Sequence, residues 1–168
     1  YSTGNHEEYR WDLTELKDRF HAYGVVVLDE KKELVQIKHT TLEIAGISCR
    51  LNMSSFMPAA VNELFDSDHY RILLSHKPNW IELYKQIHCD LVVCGHAHGG
   101  QWRFFSRGVL APGQGLMAKY VRGTYGNMIV GTGVSNTAAP LIPRLFNPRE
   151  IVEIIVRPGK IGEEAEPC

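Results

Sequence analysis

Two short apolar runs in the pattern of hydrophobic and polar residues each lead directly to a histidine. The runs are Tyr70–Ser75 and Asp90–Cys94, and both have the length and mainly apolar character of a buried strand. Between them, the segment from Asn79 to Ile87 carries apolar residues at helical spacing, with Asn79 as a candidate N-cap. A strand, a helix and a second strand in this order predict a βαβ unit, whose ligands lie beyond the carboxyl ends of the strands.

The other periodic segments predict one mixed α/β domain over residues 1–158. A helix is predicted over Trp11–Ala22, with Asp12 as its N-cap and Gly24 at its end. The tail, residues 159–168, carries three glutamates without an apolar pattern and is predicted to be flexible. A further helix is predicted at Pro58–Phe65, and further strands at Val25–Leu28, Leu34–Lys38, Thr41–Ile47, Trp102–Phe105, Met128–Val130 and Ile151–Val156.

Composition and charge exclude several classes of protein. A chain of 168 residues with 44% hydrophobic residues is long and apolar enough to bury one core, which excludes global disorder. The net charge of −1 argues against nucleic-acid binding driven by charge. No apolar run in the sequence approaches the length of a membrane-spanning helix. We therefore expect a globular domain whose chemistry lies in a few residues.

The second apolar run leads into Gly95–Gln101, which holds His96 and His98 between glycines. Residues at i and i+2 of an extended backbone project to the same side, so both imidazoles can reach one cavity. Neutral imidazole is the commonest metal ligand in proteins. A pair of loop histidines without any ligand is the alternative interpretation. The flanking glycines and the preceding strand favour the metal site.

Two other segments place suitable residue types near this pair. His76 follows the preceding strand, and a parallel sheet would bring it to the same edge as His96. Asn5 offers a neutral oxygen ligand, and His6 beside it offers a proton carrier. Taken singly, His76 is as consistent with a core or surface histidine, and residues 4–7 with a turn that starts a helix.

Together, the three segments resemble the calcineurin-like metallophosphoesterases. The last segment, with the later groups Ala111-Pro112-Gly113 and Arg144/Pro148-Arg149-Glu150-Ile151, is similar to the bacterial, often membrane-associated, phosphodiesterase branch. The resemblance runs from residue 4 to about residue 157 and implies an αββα four-layer fold, a β-sandwich flanked by helices. The matched motifs, in the order of the family, are Gly4-Asn5-His6-Glu7, Ser75-His76-Lys77-Pro78 and Gly95-His96-Ala97-His98-Gly99-Gly100-Gln101.

The family pattern opens with two blocks that this sequence lacks, an Asp-x-His at a strand end and a Gly-Asp segment. The chain starts at the third block, and Asp68 and His69 are adjacent rather than spaced by one residue. The resemblance therefore implies the C-terminal part of a longer protein, without the N-terminal strands of the sandwich. Most ligands of one metal, and the carboxylate that bridges both metals, would lie outside this sequence.

The resemblance also implies a role for each matched residue. Asn5, His76 and His96 would bind one divalent metal of the Mn, Fe, Zn or Mg class. His98 would bind a second metal. His6 would face the scissile phosphate as a catalytic residue, either donating a proton to the leaving oxygen or stabilising the transition state. A hydroxide bridging the two metals would attack phosphorus in line.

The resemblance thus implies a metal-dependent phosphoesterase acting on phosphodiesters or phosphomonoesters, with little activity expected from this chain alone. The branch resemblance points to a lipid-linked or other small phosphodiester as the substrate. The alternatives are a non-catalytic metal-binding remnant and a structural domain with incidental histidines. The location of the protein stays open between cytoplasmic and membrane-associated or exported, because a segment upstream of Tyr1 could direct it.

Overall fold

The computed structural model describes residues 1–10, 12–105, 107–135 and 143–157. Its helices are α1 (Asn5–Arg10), α2 (Leu13–Ala22), α3 (Cys49–Asn52), α4 (Met57–Leu64) and α5 (Ile81–Tyr84), with 3₁₀ turns at Pro78–Trp80 and His98–Gly100. Its strands are β1 (Lys31–Ile37), β2 (Thr40–Gly46), β3 (Tyr70–Leu74), β4 (Leu91–Cys94), β5 (Arg103–Phe104), β6 (Arg107–Ala111), β7 (Gly115–Ala118), β8 (Gly123–Tyr125) and β9 (Met128–Val130). Within these ranges, no helix combines the length and apolar character needed to cross a membrane.

A six-stranded mixed sheet forms the centre of the fold, in the order β1-β2-β3-β4-β9-β8. The four inner strands β2, β3, β4 and β9 are parallel, and the edge strands β1 and β8 pair antiparallel. A separate antiparallel sheet is formed by β5, β6 and β7. The predicted α/β class, with a sheet flanked by helices, is confirmed.

The main core lies between one face of this sheet and the helices. Leu73 of β3 and Val92 of β4 point to this face, where they pack with Met57 and Val61 of α4 and with Tyr84 of α5. All five side chains are almost completely buried. Inner parallel strands carry apolar side chains on both faces, which explains why β3 and β4 are mainly apolar in sequence.

The opposite face of the same sheet is also apolar. Leu42, Ile72 and Leu91 form a second cluster there. Beside it runs a groove of about 940 Å³, and Ile154 and Val156 lie along its border. The alternation of side chains along β3 therefore supplies apolar groups to both faces of the sheet.

Several predicted elements are confirmed to within one or two residues. Asp12 caps α2 through Oδ1, which accepts from the amides of Thr14 at 2.8 Å and Glu15 at 3.2 Å. The strands predicted at Tyr70–Ser75, Asp90–Cys94 and Met128–Val130 are found as β3, β4 and β9. Trp11 of the predicted helix and residues 158–168 of the predicted domain end and tail lie outside the described residues.

Three predicted elements are wrong. Val25–Leu28 is not a strand, because its backbone pairs with Tyr1: Leu28 N donates to Tyr1 O at 2.7 Å, and the Tyr1 amino group donates to Val26 O at 2.7 Å. The single helix over 79–87 is a 3₁₀ turn followed by one α-turn, and the Asn79 side chain makes no capping bond. Residues 151–156 form no strand, since none of their backbone groups bonds to another described residue.

A buried carboxylate, Glu43 of β2, lies between Lys32 of β1 and Arg71 of β3. Glu43 is 0% exposed, and Oε1 lies 2.8 Å from Lys32 Nζ. Ser67 Oγ donates to Oε2 at 2.7 Å, and Arg71 Nε lies 3.6 Å from the same oxygen. Burial raises the pKa of Glu43, but the bonds from Lys32, Ser67 and Asp66 N–H outweigh burial and lower the pKa overall. The carboxylate is therefore charged and held from several sides.

We expect Glu43→Gln to lower the free energy of unfolding by about 3 kcal/mol, because it removes the buried charge that Lys32 and Arg71 face. Urea unfolding at pH 7 measures the change. Glu82→Gln is the control, since Glu82 makes an exposed ion pair with Lys85 and its loss should change stability by less than about 0.5 kcal/mol. A Glu43→Gln chain as stable as the control would show that the buried charge contributes nothing.

The stability effect of Glu43→Gln should also depend on pH. A carboxylate whose pKa is lowered in the folded chain stabilises it above the unfolded pKa, and this contribution is lost as the pH falls through the folded pKa. The stability difference between wild type and Glu43→Gln should therefore be full at pH 7. It should shrink below the ordinary glutamate pKa of 4.5.

Candidate metal centre

The candidate site lies at the carboxyl ends of β3 and β4. These strands are parallel neighbours in register, with Ile72 opposite Leu91. His76 and His96 each follow the last residue of their strand by two positions, so the sheet brings them to the same edge. Their rings lie with centroids 4.5 Å apart at an interplanar angle of 61°. The placement predicted from the βαβ order is thus found in the fold.

Three polar side-chain atoms converge at this edge. Nε2 of His76 lies 2.7 Å from Oδ1 of Asn5 and 2.9 Å from Nδ1 of His96. Asn5 comes from α1, which is separated from His76 by 71 residues in sequence. The three residues that the family resemblance assigns to one metal therefore meet in one place, and their role as ligands stays a prediction.

Asn5 reaches the site because α1 begins directly beside His76. A side chain at Gly4 would place a Cβ 2.6 Å from Cε1 of His76, so only glycine permits this approach. Oε2 of Glu7 accepts from the Gly4 amide at 2.9 Å and caps the first turn of α1. The motif Gly4-Asn5-His6-Glu7 is thus the start of a helix, which agrees with its alternative interpretation. The same helix start places Asn5 beside His76.

The lone pairs of these atoms outnumber the hydrogens between them. Asn5 Oδ1 only accepts, so a hydrogen in its contact must come from His76 Nε2. If Nε2 carries that hydrogen, it cannot accept a bond from His96 Nδ1. If Nε2 accepts from His96, it faces the Asn5 oxygen without a hydrogen. No tautomer makes both contacts ordinary hydrogen bonds.

A divalent cation at this place would resolve the conflict, because it could accept a lone pair from each of the three atoms. Ligands about 2.0–2.1 Å from an octahedral metal lie about 3 Å from one another, close to the two distances at His76. Two imidazoles and one amide oxygen are suitable donors for the divalent metals of the first transition row. Among the described residues, no three His, Cys, Asp or Glu side chains form a metal-binding group, so His76 and His96 would hold a metal only together with a ligand of another type, such as Asn5.

The histidines at the site are held in the neutral form. Burial lowers the pKa of His76 to about 4, with a smaller contribution from the charge of Lys77. Burial likewise lowers the pKa of His96 to about 3, helped by His76 and Lys77. The pKa of His98 is also lowered, by burial and by Arg144. At pH 7 these imidazoles are therefore uncharged and keep the lone pair that a metal needs.

His98 belongs to a tight loop that follows β4. His96 and His98 have φ values of 60° and 48°, a left-handed conformation uncommon outside glycine. Nδ2 of Asn147 holds this loop by donating to His98 O at 2.6 Å and to Gln101 O at 3.2 Å. A Cβ at Gly99 would lie 2.0 Å from Asn147 Oδ1, so glycine is required there. His98 Nδ1 lies 3.2 Å from Ser135 Oγ and contacts neither of the other two histidines by a hydrogen bond.

His6 faces the same group of histidines from an exposed position. Its charge contributes to the lowered pKa of His76, of His96 and of His98, so the four imidazoles share one electrostatic environment. A cavity of about 300 Å³ opens next to His76 and is lined by Ser2, Thr3, Leu74, Ser75, Val93, Cys94 and Gly95. The site therefore has free volume on the side of the first residues of the chain.

Sequence reasoning missed the side chains that support these loops. Asn147 holds the loop of His98, and Asn52 and Tyr84 contact the backbone that follows His76. Tyr84 looked like an apolar core residue because it falls at helical spacing with Ile81. Asn52, the last residue of α3, has no sequence signal, since a single asparagine at the end of a short helix is common in any protein.

Comparison with curated proteins shows distant relatives. Over 127 residues the chain is 30% identical to the uncharacterized protein YpbG of Bacillus subtilis. This match covers 73% of this chain and 45% of the relative. Over 158 residues it is 30% identical to the uncharacterized metallophosphoesterase Cj0846 of Campylobacter jejuni, covering 90% of this chain and 40% of the relative. Over 173 residues it is 28% identical to Caenorhabditis elegans F40B5.2, whose name gives the same class provisionally, covering 92% of this chain and 34% of the relative.

No protein-family model and no solved structure matches the chain. Two of the relatives are named as metallophosphoesterases, which supports this superfamily, a hydrolase and the use of divalent metals. The chain spans less than half the length of each of these three relatives.

Proposed function

We propose that this chain forms part of the active site of a metal-dependent phosphoesterase. The observation that carries the proposal is the convergence of Asn5 Oδ1, His76 Nε2 and His96 Nδ1, with more lone pairs than hydrogens among them. The names of two relatives support the same class of enzyme. We further propose that the substrate is a phosphodiester, as in the bacterial branch that the late motifs resemble.

Each residue has a distinct task in this proposal. Asn5, His76 and His96 hold one divalent metal, and His98 holds a second from the loop after β4. When bound, the metals supply Lewis-acid chemistry that activates water and neutralises charge on the phosphate. The buried, neutral imidazoles provide lone pairs without competing protons. The open volume beside His76 leaves room for further ligands.

His6 is proposed as the proton donor to the leaving oxygen. It is exposed, follows Asn5 directly and shares the electrostatic environment of the three other histidines. No hydrogen bond ties its imidazole to another described side chain at the site, so it is free to meet a substrate. Imidazole is the side chain that most often acts as a general acid or base in enzymes.

The proposal predicts metal-dependent hydrolysis by the longest natural polypeptide that carries these residues. Bis(p-nitrophenyl) phosphate and p-nitrophenyl phosphate are assayed with Mn²⁺ and again after treatment with EDTA. We expect turnover with Mn²⁺, loss of turnover with EDTA, and faster cleavage of the diester. A polypeptide that binds Mn²⁺ but cleaves neither ester would instead be a non-catalytic metal-binding protein.

We expect the 168-residue chain by itself to turn over the diester weakly or not at all. The sequence contains no Asp-x-His, and a bridging carboxylate is what holds two cations close together. The same assay compares this chain with the longer polypeptide at equal concentration and Mn²⁺ loading. Robust turnover by the 168-residue chain would show that its own residues complete the site.

A further inference from the structure

The hydroxyl of Tyr84 lies buried beneath the candidate metal centre and is fully hydrogen-bonded. Tyr84 is 1% exposed, and its hydroxyl donates to Lys77 O at 2.5 Å and accepts from Asn52 Nδ2 at 2.7 Å. Because its one hydrogen is used on Lys77, the contact with Ser75 Oγ at 2.8 Å must be donated by the serine. The hydroxyl therefore uses its hydrogen and both lone pairs on three different groups.

Asn52 makes a second side-chain hydrogen bond to the backbone of Lys77, the residue after His76. Asn52 is 0% exposed, and its Oδ1 accepts from Lys77 N at 2.9 Å. Both backbone polar groups of Lys77 are thus bonded to side chains, the N–H to Asn52 and the carbonyl to Tyr84. On the other side of His76, Ser75 is bonded to the same tyrosine hydroxyl. His76 therefore lies between two anchored residues.

The anchored segment is also joined to the strand that leads to His96. Ser75 N donates to Val93 O at 3.0 Å, and Gly95 N donates to His76 O at 3.2 Å. A shift of the backbone at residues 75–77 would break these bonds and move His76 relative to His96. The two nitrogens lie 2.9 Å apart, so a displacement of even 1 Å would spoil their convergence.

The ring and the hydroxyl of Tyr84 contribute differently. The ring packs in the main core with Met57 and Leu73, and a phenylalanine ring would keep that packing. Loss of the hydroxyl leaves the Lys77 carbonyl and the Asn52 amide without their buried partner. A buried polar group left without a partner moves toward another one or toward water, which here means movement of the loop that carries His76.

We propose that Tyr84 and Asn52 are positioning residues of the metal centre, which set the place of His76 relative to Asn5 and His96 through the backbone of Lys77. The inference rests on the proposed function for its metal, while the hydrogen-bonded cluster beneath the loop is a feature of the fold. Groups that orient metal ligands affect metal affinity by about 10–100-fold when they are removed.

The test compares Tyr84→Phe with Tyr125→Phe. Tyr125 is the control, because its ring packs against the same core and its exposed hydroxyl donates to the backbone carbonyl of Lys119 at 2.6 Å, away from the histidines. Isothermal titration with Mn²⁺ alone measures affinity, and urea unfolding measures stability. We expect Tyr84→Phe to weaken Mn²⁺ binding by about 10–100-fold. Tyr125→Phe should change Mn²⁺ affinity by less than about twofold, and the unfolding data separate any loss of global stability from the change in affinity.

A second readout needs no metal. Amide hydrogen exchange at Lys77 and Gly95 in the metal-free chain reports the loop directly, since these amides donate to Asn52 Oδ1 and His76 O. We expect about tenfold faster exchange of these two amides in Tyr84→Phe, beyond any change in global stability, and no such change in Tyr125→Phe.

The outcomes separate this inference from the proposed function. Equal Mn²⁺ affinity and equal exchange in the two variants would overturn the positioning role. A wild-type chain that binds no Mn²⁺ would overturn the proposed metal centre, and exchange would then decide the role of Tyr84. Faster exchange of the Lys77 and Gly95 amides in Tyr84→Phe alone would support Tyr84 as the residue that positions the His76 loop. Equal exchange in the two variants would reject this role.

Discussion

We expect His96→Ala to reduce bound divalent metal to the background of a chelated sample. Nδ1 of His96 is one of three atoms that converge at the ends of β3 and β4, 2.9 Å from Nε2 of His76. Its removal leaves one imidazole and one amide oxygen, and a neutral amide oxygen is a weak ligand by itself. Metal content per chain, measured by inductively coupled plasma mass spectrometry after loading with Mn²⁺ and dialysis, gives the result.

Two further variants make this result interpretable. His96 has a φ of 60°, and replacement there also changes a strained backbone position, so His76→Ala provides an independent loss of a ligand at an ordinary position. His39→Ala is the control, because His39 lies exposed in the turn between β1 and β2. We expect both site variants to lose metal and the control to keep it. Metal content equal to wild type in both site variants would mean that the ligands are assigned wrongly.

We expect His6→Ala to lower kcat of the active polypeptide by roughly 10²–10⁴-fold, the usual effect of losing a general acid. Metal content should stay near that of the wild type, because His6 is not among the three converging atoms. The pH–rate profile should lose its basic limb, since that limb reports the proton donor. The experiment uses the longest natural polypeptide that carries these residues, and His39→Ala is again the control.

The leaving group distinguishes the possible roles of His6. A diester with a p-nitrophenyl leaving group needs little protonation, whereas one with an alkyl leaving group needs it strongly. We expect His6→Ala to affect the alkyl diester more. Equal losses for both substrates would mean that His6 stabilises charge in the transition state. Loss of metal in step with activity would make His6 a ligand or a structural support.

Local sequence signals predicted the elements that depend on local chemistry. The helix α2 follows from Asp12 and its spacing to the apolar face, because a capping bond spans only two or three residues. Strands β3 and β4 follow from short, mainly apolar runs, since inner strands of a parallel sheet bury apolar residues on both faces. The position of His76 and His96 at one edge follows in turn from two consecutive parallel strands.

Segments of similar composition were predicted wrongly where the outcome depends on a partner. Residues 25–28 are as β-branched as a strand, yet they bond to Tyr1 rather than to a sheet. Residues 151–156 are mostly β-branched and apolar, as in a strand, but they pair with no described neighbour. A strand exists only through hydrogen bonds to another strand, and the sequence of one segment does not say where its partner lies.

The sequence by itself determined the residue types at the candidate site, the α/β class and the edge of the sheet at which His76 and His96 emerge. Only the tertiary structure decided that Asn5 reaches Nε2 of His76 across 71 residues of chain, and that Tyr84 and Asn52 hold the backbone beside it. The reason is geometric. A hydrogen bond or a metal ligand requires placement within a few tenths of an ångström, and that placement comes from the packing of segments far apart in sequence rather than from any local pattern.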